Sequence, residues 1–309
     1  MLSNPVIDID IGNISTPDDL VKAFSSAGGF TASHVSTGVD ILENMIKDRK
    51  CKVFLSFPAC IISTGTRGVI KELVKRKLVD YIITTCGTLD HDIARSFKKY
   101  YSGSFNMDDA KLYDEGINRL GNVLVPNESY GTIIEDFLTP VLEDIYKEHK
   151  RISTRDLSWE IGKRINDESS ILYWAYKNQI PVFIPGPTDG SVGSQLWMLQ
   201  QKHSDFVIDI LKDETYLSDI VFTEEVTGAL MIGGGISKHH TIWWNQFKDG
   251  LDYAVYITTA QEYDGSLSGA KIKEAISWGK VKKDARYITI DGDATVILPL
   301  MASSLLGRL

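Results

Sequence analysis

Cysteine is scarce: Cys51, Cys60 and Cys86 are the only three in 309 residues. An odd number at wide, irregular spacing offers neither a disulfide framework nor a zinc pattern, so reduced thiols in a cytoplasmic protein are expected. Positive charge is not in excess either. The 33 Lys and Arg stand against 41 Asp and Glu, a net charge of −8. That argues against a nucleic-acid partner, because phosphate neutralisation needs a basic face. No apolar run approaches the roughly 20 residues that cross a membrane. Met1–Gly12 alternates apolar with acidic residues and lacks the basic start and apolar stretch of a signal peptide. Internal repeats, low-complexity tracts and linkers rich in Pro, Gly and Ser are missing as well. What remains is ordinary globular composition, 43% hydrophobic and 24% charged, enough for a sizeable core. Its acidic balance suits cationic ligands.

Short apolar runs alternate with longer amphipathic ones, the pattern of strands interleaved with helices. The runs predict strands at Lys52–Ser56, Tyr81–Thr85, Pro181–Ile184, Ala229–Ile232, Tyr253–Thr258 and Tyr287–Ile290. Helical spacing sets Val69, Leu73 and Val74 on one face, and Ser153 with Thr154 ahead of Asp156 and Leu157 predicts a helix start. Several strands run straight into small polar residues: Thr84-Thr85-Cys86-Gly87, Gly186-Pro187-Thr188-Asp189-Gly190 and Gly233-Gly234-Gly235. Ligands of open parallel sheets bind outside such strand ends. The predicted fold is therefore α/β, a single doubly wound, Rossmann-like and mostly parallel sheet with helices on both faces. Residues 1–30 read as an N-terminal arm, 31–309 as the α/β domain, and about 100–151 as a helical insertion.

Glycines at 233–235 would let a backbone approach a ligand phosphate, although a plain tight turn fits the same residues. His239 and His240 are adjacent, so on a helix they point about 100° apart, which disfavours a two-histidine metal site. Asp90-His91-Asp92 diverges in the same way, and an acidic first turn complementing a helix dipole is the simpler reading. No metal is expected. More informative is the stretch from Tyr263 to Lys280. Glu274 and Trp278 are four apart, one helix face, and a carboxylate beside an indole is a means of binding an amine. Lys280 follows a glycine that ends the helix. A lysine becomes a nucleophile for imine chemistry when burial or nearby cations lower its pKa. Spacing alone favours a solvated lysine continuous with Val281-Lys282-Lys283, since most lysines are exposed.

The run Gly233-Gly234-Gly235-Ile236-Ser237-Lys238-His239-His240 resembles a signature of the deoxyhypusine synthase family. So do Asp252 through Ser266, Glu274-Ala275-Ile276-Ser277-Trp278-Gly279-Lys280, Pro187-Thr188-Asp189-Gly190-Ser191 and Asn118-Arg119-Leu120-Gly121-Asn122, in the family's order from about Phe54 to Leu300. His239 through Gln246 resembles the archaeal branch. The resemblance implies a transferase that carries the 4-aminobutyl group of spermidine, with NAD as cofactor and a Lys280 imine as intermediate, to a lysine of the initiation factor 5A precursor. It implies catalytic roles for Lys280 and His239, and polyamine contacts at Glu274, Trp278, Tyr256, Ser266 and Ser268, with Asp90 and His91 near the same ligand. For NAD the matching positions are Ser63, Thr84, Thr85, Gly87, Asp189, Gly234, Thr259, Ala260, Asp293 and Ala294. Family members are homotetramers with sites built across a dimer interface.

The chain departs from the eukaryotic pattern at several places. Ser194 and Leu267 stand where polyamine-contacting carboxylates are expected, His91 replaces another acid, Trp243 takes the place of an asparagine near the polyamine, and Cys60 that of an asparagine near NAD. Two other activities share the motifs: a homospermidine synthase with putrescine as acceptor, and a catalytically silent NAD-binding paralogue. Retention of Lys280 and His239 speaks against the second.

Overall fold

The computed structural model describes residues 4–309. Its parallel sheet runs in the strand order Val281–Asp291, Leu251–Thr258, Val226–Ile232, Cys51–Ser56, Tyr81–Ile83, Val182–Phe183. These are the six strands that the apolar runs predict, and with the helices around them the fold is α/β as expected. Continuous apolar runs mark them because a parallel strand covered on both faces has no solvent side to alternate with. Phe54 and Leu55 pair with Ala229 and Leu230, Val255 with Leu230, and Ile257 with Ile290, and all seven side chains are buried. Ends differ by a few residues. Val226–Ile232 starts earlier than its apolar core because Thr227, though polar, is buried and bonded to Asn245 and Asp252. Val182–Phe183 stops short of Ile184, whose N–H goes to the Thr154 hydroxyl instead of the ladder.

The chain divides into two compact units. One comprises the chain up to Phe57, Leu78–Tyr81 and Leu217–Leu309. In it the helices Ala32–Lys47 and Ala294–Arg308 pack together against the strands Leu251–Thr258 and Val281–Asp291, and Gly235–Asn245 lies against Cys51–Ser56 and Val226–Ile232. The other comprises Pro58–Lys77 and Ile82–Tyr216. There the helix Thr154–Ile165 begins at Ser153, whose hydroxyl accepts the Asp156 N–H, where the sequence placed a helix start. Residues 100–151 of this unit hold a three-stranded antiparallel sheet and the helices Asp109–Asp114 and Gly131–Glu148. Among the described residues no helix is long and apolar enough to cross a membrane.

Near the N-terminus, the helix Pro17–Phe24 is capped by Thr16 and docks on Ala294–Arg308. Arg308 lies at the centre of this contact, bonding Asp18 at 2.5 Å, Asp40 at 2.6 Å and Glu43 at 3.1 Å. Burial raises the Asp18 carboxyl, but hydrogen bonds from Lys22, Arg308 and Ser304 outweigh it and hold the pKa at about 2. A carboxylate with a depressed folded pKa stabilises the fold above its ordinary value near 3.8 and loses that contribution as pH falls towards 2. After discounting for solvent screening, the cluster contributes about 1–2 kcal/mol. Arg308→Met is expected to lower the urea midpoint at pH 6 and to shrink the further loss between pH 4 and pH 2, because Asp18 then titrates nearer its unfolded value. An unchanged acid limb would show that Arg308 does not set the Asp18 pKa.

Candidate functional site

From Cys51–Ser56 the chain builds the sheet outward to one side through Tyr81–Ile83 and then, from Val226–Ile232, to the other. Neighbouring strands whose onward connections diverge leave a crevice at their carboxyl ends. The turn Gly233–Gly235 lies there. Gly233 and Gly235 have φ of 62° and 67°, left-handed conformations that favour glycine. At Gly234 space is the constraint: a Cβ would sit 2.3 Å from the Cα and Oγ of Ser268. The helix Gly235–Asn245 that follows has no side-chain cap, so its first N–H groups are open to an anion. The other expected cofactor positions of this unit also follow strand ends. Thr259 is exposed, and the Ala260 N–H rests on Thr258 Oγ1. Asp293 caps Ala294–Arg308, bonding the N–H and hydroxyl of Thr295 at 2.8 Å each.

The segment Leu267–Ala270, opposite the glycine turn, has no regular structure, and side chains satisfy its carbonyls. Lys238, on the first turn of the helix, is 2% exposed. It donates to Leu267 O at 2.8 Å and Ala270 O at 2.5 Å, with its ammonium 3.9 Å from the centre of the Tyr256 ring. The Tyr256 and Thr258 hydroxyls both donate to Ser268 O, at 2.6 and 2.9 Å. Ser266 Oγ accepts the Gly269 N–H. Tyr256, Ser266 and Ser268 are therefore brought together as parts of one wall, with the Tyr256 hydroxyl bonded inside it. Lys238 was not among the sequence candidates. A lysine inside a signature run carries no mark of burial.

Lys280 stands where this wall meets the last strand. Gly279 turns the chain at φ 67°; the Lys280 N–H donates to Ala275 O at 3.0 Å, and its carbonyl accepts the Leu251 N–H at 3.1 Å. The residue is 8% exposed, so the alternative of a solvated lysine continuous with Lys282 and Lys283 is overturned: Lys282 pairs with Asp252 and Lys283 is exposed, while Lys280 turns inward. Its ammonium lies over two indoles, 5.5 Å from the Trp243 ring centre and 5.2 Å from that of Trp278. His239, one turn before Trp243 on the same helix face, tilts against it at 5.7 Å. Burial, then the nearby cations Lys280, His240 and Lys238, lower its pKa, so it rests neutral with a free electron pair to accept a proton. Glu274 is exposed, close enough to Lys238 to act on its charge. The helix Glu274–Ser277 is a single turn, and Trp278 closes it through its N–H to Ala275 O. The shared face expected for Glu274 and Trp278 thus rests on one turn only. Trp243 entered the sequence reading merely as a departure; its spacing of four from His239 was the available signal.

The second unit holds the remaining candidates. Thr84 shares a 2.7 Å hydrogen bond with Thr88, the Thr85 hydroxyl accepts the Ala59 N–H at 3.1 Å, and a Cβ on Gly87 would sit 2.9 Å from that of Ala59. Ser63 donates to Cys60 O. Asp189 is exposed in the loop before Gly190. Asp90 and Asp92 are in the second turn of the helix Cys86–Phe97, so the acidic first turn read from sequence is corrected: each carboxylate caps another helix. Asp90, fully buried, accepts the Ser191 and Val192 N–H groups at 2.8 Å and the Tyr130 hydroxyl at 2.6 Å. Burial raises its pKa. A Cβ on Gly190 would sit 2.7 Å from Asp90 Oδ2, which keeps that position small. His91 shares a 2.9 Å bond with the Tyr100 hydroxyl, and burial, with Arg95 nearby, pushes its pKa down to about 4.

Comparison with known proteins agrees with the motifs. A family model described as deoxyhypusine synthase matches residues 19–305. A Picrophilus torridus protein named "probable deoxyhypusine synthase" is 64% identical over 306 residues, covering 99% of this chain and 98% of that one. A Sulfolobus acidocaldarius protein of the same name is 50% identical over 307 residues, with 99% and 98% covered. A crystal structure of a provisionally named deoxyhypusine synthase from Entamoeba histolytica superposes with a TM-score of 0.68 at 22% identity, covering 98% of this chain and 97% of that one. At that identity the likeness bears on the fold alone.

Proposed function

Because the chain belongs to the deoxyhypusine synthase family, archaeal branch, and is therefore an enzyme of the transferase class, we propose that it moves the 4-aminobutyl group of spermidine through a Lys280 imine to a lysine of the initiation factor 5A precursor. The observation that carries this reading is the placement of Lys280: nearly buried, fixed at both backbone ends, its amine under two indoles beside a neutral histidine. A lysine so held is available for carbon–nitrogen bond formation and shielded from bulk water, which would hydrolyse an imine. His239 accepts protons as the amines change charge. The Glu274 carboxylate and the Trp278 face meet the cationic chain of the polyamine.

NAD, when bound, supplies the hydride acceptor that makes an amine carbon electrophilic. The residues fit such a ligand. The glycine turn at 233–235 allows close backbone approach, and the helix after it presents N–H groups that no side chain caps. Gly234, Thr259, Ala260, Asp293 and Ala294 would hold it in this unit, and Ser63, Thr84, Thr85, Gly87 and Asp189 are the positions proposed in the other. At the helix Ser191–Lys202 the Asp90 carboxylate already takes two N–H groups, so an anion is better received at Gly234–Gly235. Assembly as a homotetramer and work in the cytoplasm belong to the same proposal.

The test is intact-protein mass after incubation with NAD and spermidine followed by borohydride. One added aminobutyl group per chain, mapped to Lys280, is the expected result. No added mass, under conditions where NAD binds, would overturn the reading.

A further inference from the structure

Among the described residues the Lys280 ammonium has no carboxylate, carbonyl or hydroxyl partner; the faces of Trp243 and Trp278 are what meets its charge. Both indoles are substantially exposed, Trp243 by 42% and Trp278 by 67%, over a lysine exposed by only 8%. Trp243 also packs on His239 and Phe247, but Trp278 stands largely outside the core, where burial stabilises it little. What the two share is one amine. We infer that Trp243 and Trp278 form an aromatic cage that holds the positively charged imine on Lys280 and keeps water from its carbon.

On the aminobutyl-transfer reading, on which this inference rests, charge and reactivity both favour ring faces around this nitrogen. An ammonium and a protonated imine carry the same charge on the same nitrogen, so a cage fitted to the first fits the second. A carboxylate would stabilise either cation as well, but it would also draw water and act as a base on it. A ring face attracts the cation electrostatically and offers neither a base nor a hydrogen-bond acceptor for water. The carbon that becomes bonded to Nζ lies one bond beyond the atom the rings already cover. His239 tilts against Trp243 from the preceding turn, which limits where that ring can go.

The protonated imine has two exits. Attack by the acceptor lysine amine forms a new carbon–nitrogen bond, breaks the one to Lys280 and returns its electron pair to Nζ; the hydride that reduces the transferred imine would be the one the nicotinamide cofactor took from the polyamine. Attack by water forms a carbon–oxygen bond and releases the Lys280 amine with 4-aminobutanal, leaving one NADH per aldehyde. The cage acts on the ratio between them.

The experiment measures 4-aminobutanal against modified acceptor, by mass spectrometry, with spermidine, NAD and an acceptor protein, for the wild type, Trp243→Leu and Trp243→Phe. Leucine keeps apolar cover without a ring face and phenylalanine keeps the ring face, so a purely structural role would not separate them. For Trp243→Leu the aldehyde-to-product ratio should rise about tenfold, equivalent to about 1.4 kcal/mol, and for Trp243→Phe less than about threefold. The imine should decay faster in the leucine variant by the same order, read as loss of trappable mass when borohydride is added after increasing delays. Equal ratios in all three chains would overturn the cage while leaving the transfer reading intact. A wild type that forms no trapped adduct would overturn both.

Discussion

Replacing Lys280 with arginine should lower aminobutyl transfer at least about 10⁴-fold, the scale of losing a covalent nucleophile, while the protein stays folded. Arginine keeps a cation under Trp243 and Trp278, stacks on indoles as lysine does, and leaves unchanged the backbone bonds from residue 280 to Ala275 and Leu251. What it loses is the chemistry: a guanidinium is not deprotonated in proteins and forms no imine. NAD binding should be retained and the borohydride-trapped mass should vanish. A competing nucleophile is available in principle. Burial pushes the Lys238 pKa down to about 8, with Glu274 opposing and Lys271 adding, which by acidity alone would make it a good one. Geometry argues otherwise, because the residue is 2% exposed and its nitrogen is already bonded to two carbonyls. Peptide mapping of the trapped adduct in Lys280→Arg decides the matter. Mass on Lys238, or transfer above about a hundredth of the wild-type rate, would remove Lys280 from the nucleophile's role.

How much of this was legible in the sequence depends on the range of the interaction. The six strands were, because burial on two faces writes itself as an uninterrupted apolar run. The glycine turn was too, since strand, glycines and helix are consecutive. The burial of Lys280 was not. Its amine meets Trp243, on a helix earlier in the chain, while its own neighbours, Val281-Lys282-Lys283, read as surface. The roles of Asp90 and Asp92 were hidden for the same reason. Local spacing suggests an acidic first turn, whereas the N–H groups they accept belong to residues 79 to 102 positions away. Tyr256 shows what a motif leaves out: its hydroxyl donates to Ser268 O and so supports the Leu267–Ala270 segment.

The largest loss of stability from a single change should come at Asp92. Its carboxylate is fully buried and accepts four hydrogen bonds: from Arg67 Nε at 2.7 Å, the Ser170 hydroxyl at 2.7 Å, and the N–H groups of Ile171 and Leu172 at 3.1 and 2.9 Å. Asp92→Ala would leave the Arg67 guanidinium, with 7% of its side chain exposed, buried without its counter-charge. It would also leave two N-terminal N–H groups of the helix Ile171–Asn178 without an acceptor. Breaking one partner of a buried pair costs about 3–5 kcal/mol, and the lost cap adds about 1 kcal/mol. Asp92→Asn should recover little, because one carboxylate oxygen becomes an NH2 group facing donors. The double replacement Arg67→Met with Asp92→Leu removes both charges and should recover most of the ion-pair part, leaving the cap deficit. Urea midpoints followed by far-UV circular dichroism measure all three. If Asp92→Ala lowers stability by less than about 1 kcal/mol, water must reach Arg67 and the pair is not buried in solution. If the double replacement is no better than the single one, the loss comes from the cap and the packing, and the uncompensated charge is not its cause.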